Sequence, residues 1–255
     1  MLLEKPPAHS ERGKVLIDGD IVVYRAALAP TSVSELDVML KVDEVLRWII
    51  LNTQSDSELD YYQVYLSGKG NFRNELAVTH PYKGNRKDKE EPRFKKFCRQ
   101  YILDKYEAIL SSNEEADDLL SKDATSLGPN TIIASIDKDL LQVPCYHYNF
   151  KNDVWHQVSE FEGLMAFYQQ ILTGDNSDNI VGLHGIGPAK SKKILVGCET
   201  EEELWEKVLE AYDGNEERVV ENARLLWLRR VDEELWVPPH SREELGQSKQ
   251  VTDQA

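Results

Sequence analysis

The sequence predicts an α/β fold in which a mostly parallel central sheet carries helices on both faces. Strand-like apolar runs alternate with helix-like segments over residues 1–150, which is the usual pattern of a parallel sheet. From Glu160 onward the pattern is nearly all helix. With 255 residues, of which 41% are hydrophobic, the chain is long enough for one large domain with a smaller appendage and a real core.

Each predicted element rests on the spacing of its apolar residues. The strands are short apolar runs bounded by turn residues, at 15–17, 61–66, 131–136, 145–148 and 154–157. The helices have apolar residues three or four positions apart, at 21–28, 38–51, 94–110 and 114–127. We divide the chain into an α/β domain at 1–172 that includes an arch at 81–112, a helical region at 173–240 and a disordered tail at 241–255.

Charge is segregated along the chain. The formal net charge is −15, yet the stretch 83–99 contains eight Lys and Arg against three acids. Such segregation allows an acidic protein to bind a polyanion locally. The three cysteines show no CxxC pairing, and no apolar run approaches the roughly 20 residues that span a bilayer. Zinc, a disulfide framework and a membrane protein are therefore not expected.

Four short acidic groups carry the candidate chemistry. Any one of them is more often a helix cap or a turn, but two follow predicted strands, whose carboxyl ends meet at one edge of a parallel sheet. Carboxylates gathered there would repel each other unless divalent cations bound them, and an oxygen-only ligand set favours Mg²⁺ or Mn²⁺. Two such ions could support phosphodiester hydrolysis. The groups are Asp18/Asp20, Glu115/Asp117/Asp118, Asp137/Asp139 and Asp175/Asp178.

These groups, with four further motifs, occur in an order that resembles the 5′-nuclease (flap endonuclease) superfamily. The similarity is greatest to bacteriophage 5′→3′ exonucleases and to the 5′-nuclease domain of bacterial DNA polymerase I, and it covers about residues 15–195. It implies a PIN/5′-nuclease-like fold with a helical arch and a C-terminal helix-3-turn-helix region. The further motifs are Phe72-Arg73, Tyr82-Lys83-Gly84-Asn85-Arg86, Gly174 before Asp175, and the glycine-rich run from Gly182 to Lys190.

The resemblance also implies roles for individual residues. Asp18, Glu115 and Asp117, with Asp118 beside them, would hold a first Mg²⁺ or Mn²⁺, and Asp137, Asp139, Asp175 and Asp178 would hold or support a second. Lys83 would contact the scissile phosphate with help from Arg86. A K⁺ ion would sit in the glycine-rich turn. The residues that would contact DNA are Arg73, Tyr82, Lys83, Arg86, Lys87, Gly182, Gly185, Gly187, Lys190 and Lys192.

Two features depart from that simple transfer. The family places another metal-binding Asp a few residues before the Phe-Arg pair, where this chain has Ser67 or Gly68. Asp20 is not a family ligand, and we expect a structural or supporting role for it.

The aromatic residues between the basic side chains, Phe94 and Phe97, either grip single strands or belong to the core.

The expected function is metal-dependent hydrolysis at 5′ ends, flaps or nicks of DNA, or of RNA primers in RNA–DNA hybrid, in phage-type replication or recombination. The location would then be the cytoplasm, that of the host for a phage protein, and a monomer is the default. Two alternatives remain open: a branched-DNA binding protein with impaired catalysis, and a PIN-like ribonuclease. The glycine-rich turn disfavours the second, because PIN domains generally lack it.

Overall fold

The computed structural model describes residues 1–54, 61–86 and 90–244. Lys87 and residues 245–255 of the predicted tail lie outside them. The strands are β1 (Leu2–Leu3), β2 (Val15–Asp18), β3 (Tyr62–Lys69), β4 (Ile109–Ser112), β5 (Ile132–Ala134), β6 (Tyr146–Asn149), β7 (Val154–Gln157), β8 (Gly174–Asp175) and β9 (Ile180–Val181). The helices are α1 (Gly19–Ala27), α2 (Glu35–Thr53), α3 (Arg73–Leu76), α4 (Lys95–Tyr106), α5 (Ala116–Leu127), α6 (Glu160–Thr173), α7 (Pro188–Ile194), α8 (Glu201–Ala211), α9 (Glu216–Leu226) and α10 (Pro239–Glu244).

The predicted mostly parallel sheet is confirmed. Within the described residues, seven strands form one sheet in the order β1-β7-β6-β5-β2-β3-β4. The five strands from β6 to β4 in that order are parallel to their neighbours, whereas β7 is antiparallel to both β6 and β1. The carboxyl ends of β2, β3 and β5 therefore share one edge, where open α/β sheets bind their ligands.

Helices cover both faces of this sheet. Successive side chains of β2 point to opposite faces of the sheet, and both faces are buried. Val15 and Ile17 join a core with α1, α2 and α4, while Leu16 joins a second core with α5. A third apolar cluster holds α6, α8 and α9 together and includes Trp205, Trp227 and Trp236. None of the helices in the described part of the chain is long and apolar enough to cross a membrane.

The prediction of a helix at 94–110 was wrong about where the helix ends. Glu107 has a left-handed backbone (φ 50°), which ends α4, and Ile109–Ser112 then pairs with β3 as β4. The apolar spacing of α4 continues into β4, so the sequence concealed the break. The predicted arch at 81–112 therefore includes a strand of the sheet. Phe94 is buried and Phe97 packs beside it in the first core, which favours the core interpretation of both aromatic residues.

Candidate active site

The strand ends bring the first acidic residues to one edge of the sheet. Asp18 is the last residue of β2 and also caps α1, since its Oδ1 accepts a hydrogen bond from the Ile21 amide at 3.1 Å. Its Oδ2 accepts one from the Ser135 hydroxyl at 2.7 Å, just beyond β5. The Ser135 hydroxyl in turn accepts from the Asp137 amide at 3.0 Å. The two strands thus hold Asp18 and Asp137 in one network.

A cleft of about 590 Å³ opens at this edge. It contains six of the eight predicted metal ligands, together with Asp20 and a wall of basic residues from the stretch 83–99. No histidine or cysteine lines it. The charged residues in its lining are Asp18, Asp20, Lys83, Arg86, Glu91, Lys95, Lys96, Arg99, Glu115, Asp117, Asp137, Asp139 and Asp178.

Crowding raises the pKa values of the carboxyls on the floor of the cleft. The pKa of Asp18 is raised to about 7, first by burial and then by the charges of Asp20 and Asp137, against the hydrogen bonds that lower it. The pKa of Asp117 lies well above its usual range because of burial and the charges of Asp18, Asp137 and Glu115. Bringing a divalent cation among these groups would relieve that repulsion.

The second acidic group contains a carboxyl pair. Burial, the charge of Asp137 and a hydrogen bond with Asp175 raise the pKa of Asp139 to about 8. The pKa of Asp175 is lowered despite burial, because Ser177 and Asp139 donate hydrogen bonds to it. The two carboxyls are thus hydrogen-bonded to each other, and the Gln170 amide donates to Asp139 at 2.6 Å. Asp175 does not line the cleft, and it is connected to the cleft through its hydrogen bond with Asp139.

The segment 81–86 is hydrogen-bonded to the loop 176–179. The amide of Lys83, which has a left-handed backbone (φ 52°), donates to the Asp178 carbonyl at 2.8 Å. The Lys83 ammonium pairs with Glu115 and lies 3.6 Å from Asp178. Arg86 Nη2 lies 2.5 Å from Asp178 Oδ1. The positively charged side chains of Lys83 and Arg86, which were predicted to be catalytic, therefore already contact carboxylates of the cleft.

Tyr82 belongs to the same network. Its hydroxyl lies 2.9 Å from Glu115 Oε2 and 2.7 Å from Asp178 Oδ2. Burial and the charge of Glu115 raise the pKa of Tyr82 well above its usual value, so the hydroxyl stays protonated and donates. It joins carboxylates from both predicted metal groups and is largely buried, whereas the sequence analysis assigned Tyr82 to DNA contact.

The donor set fits hard divalent cations. All of the acidic groups in the cleft present oxygen atoms, and softer nitrogen or sulfur ligands are not among its lining residues. Within residues 1–54, 61–86 and 90–244, however, no three acidic side chains already converge as the ligands of one ion. Glu115 and Asp178 instead face Lys83 and Arg86, so some rearrangement of side chains would accompany ion binding.

Two predicted site residues pair with each other inside the protein. Asp118 is fully buried and forms a two-pronged pair with Arg73, at 2.6 Å and 2.8 Å. Asp118 also accepts hydrogen bonds from the amides of Glu115 and Arg229. Arg73 donates further to the Leu225 and Trp227 carbonyls and is only 1% exposed. Asp118 is therefore not placed as a metal ligand, and Arg73 is not placed to contact DNA.

The glycine-rich turn precedes α7 on the surface. Gly185 has a positive φ of 73°, and its carbonyl accepts from the Lys190 ammonium at 2.8 Å. Gly185, Gly187, Lys190 and Lys192 are all exposed. Gly182 differs, because an added Cβ would lie 2.3 Å from backbone atoms of Thr173 and Gly174. Close packing therefore explains Gly182.

Sequence reasoning missed several residues of the cleft. Arg99 Nη1 lies 2.6 Å from Asp20 Oδ1, and Arg99 also donates to the Ser67 carbonyl. Ser135 and Gln170 hold Asp18 and Asp139 as described above. The motif around Asp18 pointed to Asp20, but nothing in the sequence connected residue 20 with residue 99.

Comparisons with known proteins agree with this fold. No protein-family model matches the chain. It is 29% identical to DNA polymerase I of Bacillus subtilis over 226 residues, which is 78% of this chain but 25% of that protein. It is 26% identical to a 5′-3′ exonuclease of Mycoplasma pneumoniae over 221 residues, 72% of each.

Two structures of a bacteriophage T5 protein cover 84% of this chain and 89% of theirs at 16% identity. One was co-crystallised with metal ions, and the other, a flap endonuclease, is a complex with DNA and metal ions. Their TM-scores are 0.64 and 0.61. The chain has the 5′-nuclease fold. The resemblance found in the sequence is thus confirmed. The chain spans about a quarter of the length of the Bacillus subtilis DNA polymerase I that it matches.

Proposed function

We propose that this 5′-nuclease homologue hydrolyses phosphodiesters at or near the 5′ ends of DNA with the help of divalent cations. The observation that carries the proposal is the cleft, where six predicted ligand carboxylates and the cations Lys83 and Arg86 meet at the carboxyl edge of the sheet. Relatives named as a 5′-3′ exonuclease and a flap endonuclease support it. An acidic cleft alone would repel DNA, so the basic wall is needed for entry.

Asp18, Glu115 and Asp117 would hold the first of two Mg²⁺ or Mn²⁺ ions, and the group around Asp137 and Asp139 would hold the second. When bound, the ions activate a water molecule and stabilise the attacking and leaving oxygens. The chain itself orients the ligands: the Ser135 hydroxyl donates a hydrogen bond to Asp18, and the Gln170 amide donates one to Asp139.

Lys83 and Arg86 would bind the scissile phosphate and stabilise its developing negative charge. Their attachment to the loop 176–179 supports this role, because carbonyls of that loop accept hydrogen bonds from the Lys83 amide and from the Arg86 guanidinium and so hold both residues close to the carboxylates. The Lys83 ammonium contacts Glu115 and lies near Asp178. If a DNA phosphate bound the Lys83 ammonium in their place, Glu115 and Asp178 would be free to bind divalent metal ions.

The duplex would lie along the glycine-rich turn. Gly185 and Gly187 are exposed and allow close approach of a phosphate, and Lys190 and Lys192 add positive charge. We include a K⁺ ion bound by carbonyl oxygens of this turn in the proposal. The substrates would be 5′ ends, flaps, nicks and RNA–DNA hybrid in phage-type replication or recombination, and the protein would act as a monomer.

A second candidate function is branched-DNA binding with impaired catalysis. The observation in its favour is that positions 67 and 68, near the end of β3, are occupied by Ser67 and Gly68, so that neither position carries a carboxylate. The retained carboxyls of the cleft speak against it, because a pure binder has no need for a buried acid whose pKa is raised by burial and by the charges of neighbouring acids, as is that of Asp117.

The test compares cleavage of a 5′-labelled flap and a nicked duplex in Mg²⁺, Mn²⁺ or EDTA. The variants are Asp117→Asn in the cleft and, as a matched control, Asp43→Asn, whose carboxylate pairs with Lys105 away from the cleft. We expect metal-dependent release of 5′ products that falls at least about 100-fold in Asp117→Asn and persists in the control. Structure-selective binding without cleavage in either metal would instead establish the second candidate.

A further inference from the structure

Asp20 lies in the half of the cleft that contains Asp18, Glu115 and Asp117. Its side chain lines the cleft together with those three residues, and it stands in the first turn of the helix that Asp18 caps. Asp20 therefore adjoins a predicted ligand of the first ion. The sequence analysis gave Asp20 only a structural or supporting role.

The end of β3 explains why a carboxylate at position 20 matters. A Cβ added to Gly68 would lie 1.9 Å from the Ser111 carbonyl oxygen, so the fold cannot accept a side chain there. Only position 67 could present a carboxylate to the cleft, and it is a serine. The Ser67 hydroxyl accepts a hydrogen bond from the Ala116 amide at 3.0 Å, at the start of the helix that carries Asp117.

Asp20 is joined directly to that position. Its Oδ2 accepts a hydrogen bond from the Ser67 amide at 2.9 Å, and its Oδ1 lies 2.6 Å from Arg99. An ionised carboxylate has about four acceptor positions, so these two contacts orient Asp20 and leave acceptor capacity. The side chain is about one-quarter exposed, which leaves it accessible from the cleft.

We propose that Asp20 is a ligand of the first divalent cation and supplies the carboxylate that position 67 lacks, an inference that rests on the proposed function. Arg99 then orients Asp20 from the basic wall, because it bonds both the Asp20 carboxylate and the Ser67 carbonyl. The first ion group becomes Asp18, Asp20, Glu115 and Asp117, four carboxylates from two segments of the chain. The full complement of negative charge is thereby kept, although it comes from a different position.

The experiment measures Mn²⁺ affinity by calorimetry in the absence of DNA, for the wild type and three variants. Asp20→Asn keeps an oxygen that can accept from the Ser67 amide and removes the charge. Asp20→Asn/Ser67→Asp returns a carboxylate to the end of β3. Arg99→Met breaks the ion pair and leaves the Asp20 carboxylate in place. Thermal melting of each variant shows that it is folded.

We expect Asp20→Asn to weaken Mn²⁺ binding about tenfold or more, and the double variant to recover most of that loss. Arg99→Met should bind Mn²⁺ as tightly as the wild type or more tightly, because a competing cation is gone. The recovery is decisive, because damage to the fold caused by Asp20→Asn would not be repaired by a second substitution that adds a charge.

Three results would overturn the inference. Unchanged Mn²⁺ affinity in Asp20→Asn, beside metal-dependent cleavage by the wild type, would refute the role of Asp20 and leave the proposed function intact. An equal loss in Arg99→Met would mean that Asp20 acts only through Arg99. A wild type that neither binds Mn²⁺ nor cleaves with metal would refute both the proposed function and this inference.

Discussion

The buried pair of Arg73 and Asp118 should be one of the most costly places to change a single charge. Asp118→Asn keeps the shape of the side chain but removes its charge and turns one acceptor into a donor that faces the guanidinium. Arg73 would then be a buried cation with no carboxylate partner, left with neutral acceptors such as the Leu225 and Trp227 carbonyls. Breaking such a pair from one side costs about 3–5 kcal/mol, a large part of the stability of a typical domain.

The measurement is urea unfolding followed by tryptophan fluorescence and circular dichroism. Glu44→Gln is the matched control, since Glu44 pairs with Lys41 at 2.9 Å but its side chain is 67% exposed. The control should lose less than about 1 kcal/mol. Arg73→Met/Asp118→Leu removes both charges and should be less destabilised than the sum of its single variants, because neither partner is left uncompensated.

The same pair should also make the stability of the fold depend on pH. Burial raises the pKa of Asp118, but the charge and hydrogen bonds of Arg73 outweigh it and lower the pKa below its usual value of 3.8. The pair therefore stabilises the fold above that value, and this stability is lost as the pH falls through the folded pKa. If Asp118→Asn is no less stable than Glu44→Gln yet loses nuclease activity, the buried-pair reasoning is refuted and Asp118 acts as a ligand after all.

Three further outcomes are expected. Burial lowers the pKa of His147 to about 4, so the unfolded state binds the proton more tightly; the free energy of unfolding of the wild type, measured relative to that of His147→Gln by urea titration, should fall by about 2 kcal/mol from pH 7 to 5, and an unchanged difference would refute the shift. Gly163→Ala should cost about 1–3 kcal/mol in a thermal melt, because the new Cβ would lie 2.3 Å from the Gln142 carbonyl oxygen; a melt equal to that of the wild type would contradict this packing. Lys192→Ala should weaken DNA binding and reduce the slope of log affinity against log salt by about one, whereas an unchanged slope would place Lys192 away from the DNA.

The fold could be predicted where periodicity was local and uninterrupted. The runs at 15–17 and 131–136 became the adjacent strands β2 and β5, and the spacing over 38–51 became α2. The boundary between α4 and β4 was missed because it depends on one left-handed residue, Glu107, and on pairing with a distant strand. The two-residue strand β1 was missed for the same reason, since its pairing partner β7 lies more than 150 residues away.

The site could be predicted as a set of carboxylates, because the carboxyl ends of parallel strands must share an edge. What the sequence could not provide is the direction of each side chain. Asp117 and Asp118 are neighbours in the chain, but successive residues of a helix point about 100° apart. Asp117 therefore faces the cleft, while Asp118 faces Arg73 inside the protein. The motif is the same for both residues, so only the rotation of α5 decides which of them can bind an ion.

Asp20 shows the opposite case. It stands two residues after a predicted ligand, in the first turn of α1, where an acid is usually explained by the helix dipole. Only the packing of α1 against the end of β3 places its carboxylate on the Ser67 amide. Position 67, which holds a serine, and position 20, which holds the acid, are 47 residues apart in the chain but adjacent at the sheet edge. The number of carboxylates around the first ion thus follows from the three-dimensional position of each acid, which the aligned motifs alone do not contain.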